Sequence, residues 1–368
     1  MKIDCLHFVK GIEMKKENQV NSRIIKREVR KKRRNKKVVI FLVLPIILLF
    51  TVIFAYGFSI WNKTQQAVES SYESDGRDSG SELREYEVNP ATDNVSVLFI
   101  GVDESNHRNN SGHSLSDALI LATLNVEENS VKLLSIPRDS LVYIPHTGKY
   151  DKINHAHAFG GPKATIEAVE HTFEIPVDYF VRLNFHAFVD VVDALGGIEF
   201  DVPYEFKESN SNDKRDSIHL YPGLQTVNGE EALAIARTRK KDNDIERGKR
   251  QQQLMQAILK KTVSIGSIPK IGSVIEAIED NMSTSISMSD MMGFASYGIS
   301  GDLKLETLNL KGHDLWTDYY YYQLDEEHLE LTKQTLQHHL GLIDDSELTF
   351  NLTTGDEDSE ESLDSDWE

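Results

Sequence analysis

The sequence predicts an α/β protein: a single layered α/β/α domain with a central mixed sheet, behind one N-terminal transmembrane helix. Three observations predict it. Between residues 93 and 350, short β-rich apolar runs alternate with runs of helical period. The hydrophobic fraction is 39%, with 15 Phe, 13 Tyr and 3 Trp, which supplies a core and excludes a wholly disordered chain. Val38–Ile60 holds 23 residues without one charge, long enough as a helix to cross a bilayer core of about 30 Å.

Charge sorts the chain into segments. The net charge is −19, yet residues 1–37 carry +10, which leaves −29 for the remainder. Nine bases crowd Lys26–Lys37 against the single acid Glu28. Beside an apolar span, this flank is expected to stay in the cytoplasm, placing the rest outside as a single-pass type II protein of the cell membrane. A signal peptide is the competing reading, but its apolar core would be shorter and would end in small residues. Pro45 is tolerated in a membrane helix as a kink. Met14 is a second candidate start, and the lone Cys5 would vanish with residues 1–13. With one cysteine there is no intramolecular disulfide framework and no cysteine-rich zinc module. Residues 61–92 are polar and read as an extracellular linker. Residues 351–368 read as an acidic disordered tail, eight acids and no base falling within 355–368.

The domain, 93–350, reads as follows. Val95–Ile100, Ala118–Leu124 and Val131–Ile136 are strands, the last two joined by a hairpin turn at Asn125–Ser130. Pro162–Phe173 is a helix and Tyr179–Leu183 a strand. Phe185–Leu195 has helical spacing and stops at Gly196-Gly197. Ile198–Val202 is a strand. Gly229–Arg237, opened by Asn228 as N-cap, and Ile245–Ser264 are helices. Met288–Tyr297 and Asp325–Leu340 are helices around a strand at Lys304–Leu310. His155-Ala-His157 is expected to pack in a loop, His338-His339 to lie on the surface, and Tyr319–Tyr322 to form a partly buried aromatic loop or a sugar-stacking one.

The polar residues of interest lie just past strand ends. Asp103 follows VLFIG, Asp117 opens ALILATL, and Arg138-Asp139 follows LLSIP. In open α/β sheets that crevice is the usual binding place. Asp103 and Asp117 could hold Mg²⁺, a hard ion that prefers oxygen, or simply cap turns. A second cluster runs from Arg237 and Arg239 to Arg247 and Arg250, with Arg215 nearby. Guanidinium forks in an acidic domain suit a phosphate or carboxylate partner. Arg247 and Gln251 are i, i+4 and share a helix face, and Asp244 is placed to orient Arg247. The plain alternative is a salt-bridged helix surface. Nucleic acid as partner is opposed by the surrounding negative charge and the external topology. No HExxH, GxSxG, GxxxxGK[ST] or CxxC is present, which argues against zincins, α/β-hydrolases and P-loop ATPases.

Several blocks resemble those of the LytR-CpsA-Psr family: VLFIGVD (97–103), SDALILATLN (116–125), VKLLSIPRDS (131–140), KINHAHAFGG (152–161), VVDALGGIEFDV (191–202), PGLQTVNGEEALAIART (222–238), and the run Asp244–Gln253. The resemblance implies a phosphotransferase on the outer face of Gram-positive bacteria. Such enzymes move an anionic glycopolymer, of wall teichoic acid or capsule type, from undecaprenyl pyrophosphate to a peptidoglycan hydroxyl. It implies Asp103 and Asp117 as Mg²⁺-linked aspartates, with Mn²⁺ as the other candidate ion. It implies Arg138, Arg237, Arg239, Arg247 and Gln251 as pyrophosphate-binding residues, with Asp244 beside them. Asp103 is the first choice as base for the acceptor hydroxyl, and Arg138, Arg237 and Arg239 join it as the catalytic set. One departure is Leu115, where the family usually carries Arg two residues before the second aspartate. A prenyl-pyrophosphate sensor without transfer, or a hydrolase, is the alternative. The oligomeric state is not legible.

Overall fold

A computed structural model describes residues 62–77, 80–102, 114–241, 244–265, 281–299 and 303–344, with a few isolated positions besides. Residues 63–368 form one compact unit; the other unit, 1–62, falls outside the described residues except for Asn62. The expected transmembrane helix at 38–60 and the tail at 351–368 therefore lie outside them too. Among the described residues, no helix is long and apolar enough to cross a membrane.

The centre is a six-stranded mixed sheet. Its strands are β1 (Val95–Val102), β2 (Ser116–Asn125), β3 (Ser130–Ser135), β6 (Tyr179–Asn184), β11 (Met282–Thr284) and β12 (Lys304–Asn309), in the order β11-β6-β1-β2-β3-β12. β1 pairs antiparallel with β2 and parallel with β6; β3 pairs antiparallel with β2 and parallel with β12. The β2–β3 hairpin turns where the sequence predicts, with Asn129 in the left-handed region at φ 49°. β1 is apolar on both faces because both faces are covered.

On one face, Leu98, Ile100, Leu119 and Leu121 pack against α1 (Ile153–Phe173) and α6 (Glu326–His339). On the other, Ile120, Ala122 and Leu133 meet α4 (Asp244–Ile265) through Met255 and Leu259. Val97 and Tyr179 on that face meet α5 (Met288–Ile299) through Met291 and Phe294. This is the expected three-layer arrangement. A second core joins α2 (Phe185–Ala194) and α3 (Gly229–Arg237) to the ribbon β7 (Ile198–Val202)–β10 (Gly223–Val227). Asn228 caps α3 through a full capping box with Glu231.

The differences from the sequence reading are local. α1 starts at Ile153, before the predicted Pro162, because the chain kinks through Gly160-Gly161 and resumes at Pro162. His155 and His157 thus sit on a helix, with Asp151 and the Ser114 carbonyl as their partners. His339 is 1% exposed, not on the surface: its ring nitrogens lie 2.7 and 2.8 Å from the Thr123 and Ser130 hydroxyls. The tyrosine run forms strand β14 (Tyr320–Leu324), paired with β13 (Gly312–Trp316), rather than a loop. Small ribbons, β4 (Leu141–Ile144)–β5 (Lys149–Lys152) and β8 (Phe206–Glu208)–β9 (Ile218–Leu220), were not legible, since three or four residues show no resolvable period. The polar stretch before the domain carries structure of its own. Residues 62–71 are helical, Ala67 and Val68 are buried, and Arg77 and Arg84 reach Glu170 and Asp178.

Candidate functional site

A cavity of about 380 Å³ opens over the carboxyl end of β1 and the start of β2, roofed by α2, α3 and α4. Its position follows from the topology. β1 and β6 run parallel and end together, so Gly101 lies beside Leu183, and Gly101 faces Ala118 across β1–β2. Two small residues leave room there. A Cβ on Gly101 would come within 3.1 Å of the Ala118 methyl.

The polar wall collects residues scattered over more than 130 positions. Asp117, Arg138, Arg237, Arg239, Arg247 and Gln251 all line the cavity. Arg138 Nη1 donates to Asp117 Oδ1 at 2.7 Å, and its Nε lies 3.5 Å from Asp139 Oδ2. Asp139 is held in turn by Lys152 Nζ at 2.7 Å. The Arg237 guanidinium lies over the Phe185 ring at 3.9 Å, a cation–π contact that fixes its plane. Gln251 Nε2 donates to the Ala236 carbonyl at 3.3 Å. Arg247 is only 7% exposed.

The helix α4 carries a gradient. Arg247, Gln251, Leu254 and Met255 follow at i, i+4, i+7 and i+8, so one helix face turns from cationic to apolar over about 12 Å. Phe99, Ile120, Leu183, Phe188 and Leu233 continue the apolar lining. An amphiphile with an anionic head and an apolar tail matches such a cavity. α4 can lie this close to the sheet because position 248 is Gly: a Cβ there would sit 2.8 Å from Ser135 Oγ. Gln252, 1% exposed, anchors the helix by donating to the carbonyls of Leu133 and Leu308 at 3.1 and 2.7 Å.

The arginine cluster divides by role. Arg250 is buried and donates to the carbonyls of Ile235 and Thr238, closing the end of α3 where helix carbonyls lack partners. Arg215 is exposed on the loop before β9 and does not line the cavity. Asp244 opens α4, and its side chain lies outside the described residues, as does Asp103 altogether. Leu115 is 43% exposed just before β2. Glu208, Ser209 and Asp213 also line the cavity and were missed. Glu208 ends β8, and Ser209 and Asp213 lie in the turn that follows it, which no motif flags.

For a divalent metal, the described residues offer no group of three or more His, Cys, Asp or Glu ligands. Mg²⁺ does not require one. It commonly binds through one or two carboxylates plus substrate phosphates. Asp117, Glu208 and Asp213 give the cavity carboxylate oxygens and neither thiolate nor imidazole, so the donor chemistry fits a hard ion.

Comparisons with known proteins agree on the relationship. The LytR_cpsA_psr family model matches residues 58–338. The polyisoprenyl-teichoic acid–peptidoglycan teichoic acid transferase TagT of Bacillus subtilis is 37% identical over 322 residues, 85% of this chain and 98% of that one. A structure of TagT bound to LIIa-WTA superposes with a TM-score of 0.64 at 37% identity, covering 73% of this chain and all of the other. A structure of TagT with bound octaprenyl pyrophosphate lipid superposes with a TM-score of 0.60 at 35% identity, with 73% and 100% covered.

Proposed function

The chain belongs to the LytR-CpsA-Psr family, and from that premise we propose that it transfers an anionic glycopolymer phosphate from undecaprenyl pyrophosphate to a peptidoglycan hydroxyl. The observation that carries this reading is a cavity with guanidinium groups at one end and apolar side chains at the other. Solved relatives bind ligands of this kind: one holds octaprenyl pyrophosphate, another LIIa-WTA.

In this reading Arg138, Arg237, Arg239, Arg247 and Gln251 grip the pyrophosphate, and the prenyl chain lies along Leu183, Phe188, Leu254 and Met255. The acceptor oxygen bonds to the glycopolymer-bearing phosphorus. The bridging P–O bond breaks, and its electron pair leaves with undecaprenyl phosphate. The acceptor proton passes to a carboxylate, for which Asp103 is the first choice. Guanidinium groups fixed in a crevice stabilise the charge that develops on the leaving phosphate, which is most of what phosphoryl transfer asks of a protein. Asp139 and Lys152 hold Arg138 from behind, so its fork faces the substrate without reorganisation. Asp117, with Asp103, would hold Mg²⁺ or Mn²⁺, and that ion supplies charge neutralisation on the pyrophosphate oxygens. The span 38–60 and its basic flank would keep the site on the outer face, beside the carrier lipid, as a type II membrane protein.

Leu115 favours one second reading, a prenyl-pyrophosphate sensor that binds without transfer. The test incubates the full chain in nanodiscs with a prenyl-pyrophosphate-linked saccharide, Mg²⁺ and peptidoglycan oligomers. A saccharide-phosphate adduct on the glycan, found by mass spectrometry and reduced at least about 100-fold in Arg138→Ala, is the expected result. Tight binding with no adduct would support the sensor. Free saccharide phosphate without adduct would make the protein a hydrolase.

A further inference from the structure

The hairpin β13–β14 carries aromatic side chains that the site described above does not use. Trp316 and Tyr319 are 74% and 70% exposed, and Trp316 pairs across the hairpin with Tyr320, ring centroids 5.0 Å apart. Burial within the protein does not account for them. Exposed aromatics grouped this way mark an interaction surface.

This surface is coupled to the cavity mouth. Tyr322 N donates to the Asp139 carbonyl at 2.8 Å, and Ser140 bridges Tyr322, so the hairpin is stitched to the segment that carries Arg138. Lys152 Nζ lies 5.6 and 5.8 Å from the Tyr320 and Tyr321 ring centroids while it holds Asp139. Asp139 contacts Arg138, and Arg138 contacts Asp117. No link from hairpin to cavity exceeds 6 Å.

We propose that the β13–β14 hairpin is the acceptor subsite, with Trp316 and Tyr319 stacking on sugar rings of a peptidoglycan glycan strand whose hydroxyl enters at Arg138. The proposal rests on the transferase reading and adds the place and chemistry of its second substrate. Three features favour a glycan. Flat aromatic faces match the apolar C–H face of a pyranose ring. Exposed Asp314, which shares the Trp316–Tyr320 face and accepts from Tyr320 Oη at 3.0 Å, stands beside them as a partner for sugar hydroxyls and acetamido groups. Asp318, exposed in the turn between Trp316 and Tyr319, repels an anionic bilayer surface, whereas the sugar backbone of a glycan strand is uncharged where its lactyl carboxyls are amide-linked to stem peptides.

The test uses the full chain in phosphatidylcholine nanodiscs and three probes: glycan strands that keep their stem peptides, octaprenyl pyrophosphate, and phosphatidylglycerol vesicles. Trp316→Ala and Tyr319→Ala are expected to weaken strand affinity about tenfold each while leaving octaprenyl pyrophosphate affinity and melting temperature unchanged. Leu224→Ala, an equally exposed apolar residue on β10, should change nothing. Arg247→Ala should show the opposite pattern, losing the lipid and keeping the strand. In the transfer assay the hairpin variants should raise the acceptor KM and leave kcat at saturating acceptor. Strand binding that is absent in the wild-type protein, or equal in wild-type and hairpin variants, overturns the proposal. So does a loss confined to vesicle adsorption, which would make the hairpin a membrane contact. Hairpin-dependent strand binding in a protein that shows no transfer would leave this subsite standing and sink the transferase reading instead.

Discussion

Burial of His339 makes the domain sensitive to mild acid. Desolvation, helped by nearby Lys132, pushes the imidazole down from 6.5 to about 4, against the opposing pull of Glu128 and Glu306. The folded pKa is thus depressed below the unfolded one. As pH falls below 6.5 the unfolded chain takes up a proton that the folded chain refuses, so stability drops until about pH 4. Working the two titrations together gives a loss of about 2 kcal/mol between pH 7 and pH 5 from this residue alone. In a domain of this size that is about 4–8 °C of melting temperature. The perturbation is His339→Gln, which keeps polar atoms near Thr123 and Ser130 but does not titrate. The assay is thermal unfolding of the full chain in detergent at pH 7 and pH 5, wild type against variant. Every other ionisable group is common to both proteins, so the difference of differences isolates His339. Wild type should lose about 2 kcal/mol more than the variant. Equal losses, within about 0.5 kcal/mol, would refute the burial argument.

Two further outcomes follow from packing. Gly248→Ala should force α4 off β3 and lower octaprenyl pyrophosphate affinity, because its Cβ meets Ser135 Oγ at 2.8 Å while Arg247 and Gln251 ride on the same helix. Adding Ser135→Ala removes that one atom and should restore binding; since alanine is the better helix former by about 1 kcal/mol, the double variant should melt above wild type. Continued weak binding in the double variant would separate Gly248 from the site. Asn228→Ala deletes the capping box of α3 and should cost about 0.5–2 kcal/mol in urea unfolding, with transfer kinetics per folded molecule unchanged.

The hydrophobic pattern was legible where segments were long. β1, β2, β3, α2, α3 and α4 fall within a residue or two of their sequence positions, since six or more residues suffice to show a period and Asn228 or a glycine pair marks the ends. The arginines were legible as an anion cluster because five of them in an acidic domain is a compositional anomaly. Their division was not. The family resemblance assigns Arg247 and leaves Arg250 out, but composition and spacing do not separate Arg247, which lines the cavity, from Arg250, which closes α3, because only the neighbouring carbonyls decide which helix face is which.

By itself, then, the sequence determined the layered α/β class, the family, and a set of residue types whose chemistry suits a phosphate. Those depend on local periodicity and on side-chain chemistry, both written one residue at a time. Only the tertiary structure decided that Asp117 pairs with Arg138, that the apolar end of α4 lines the same cavity as the arginines, and that His339 is sealed between β2 and β3. It also decided that an aromatic hairpin more than 170 residues beyond Arg138 is stitched to it through Asp139. Each of these joins residues far apart in the chain, and such contacts are fixed by sheet order and packing, which no window of sequence contains.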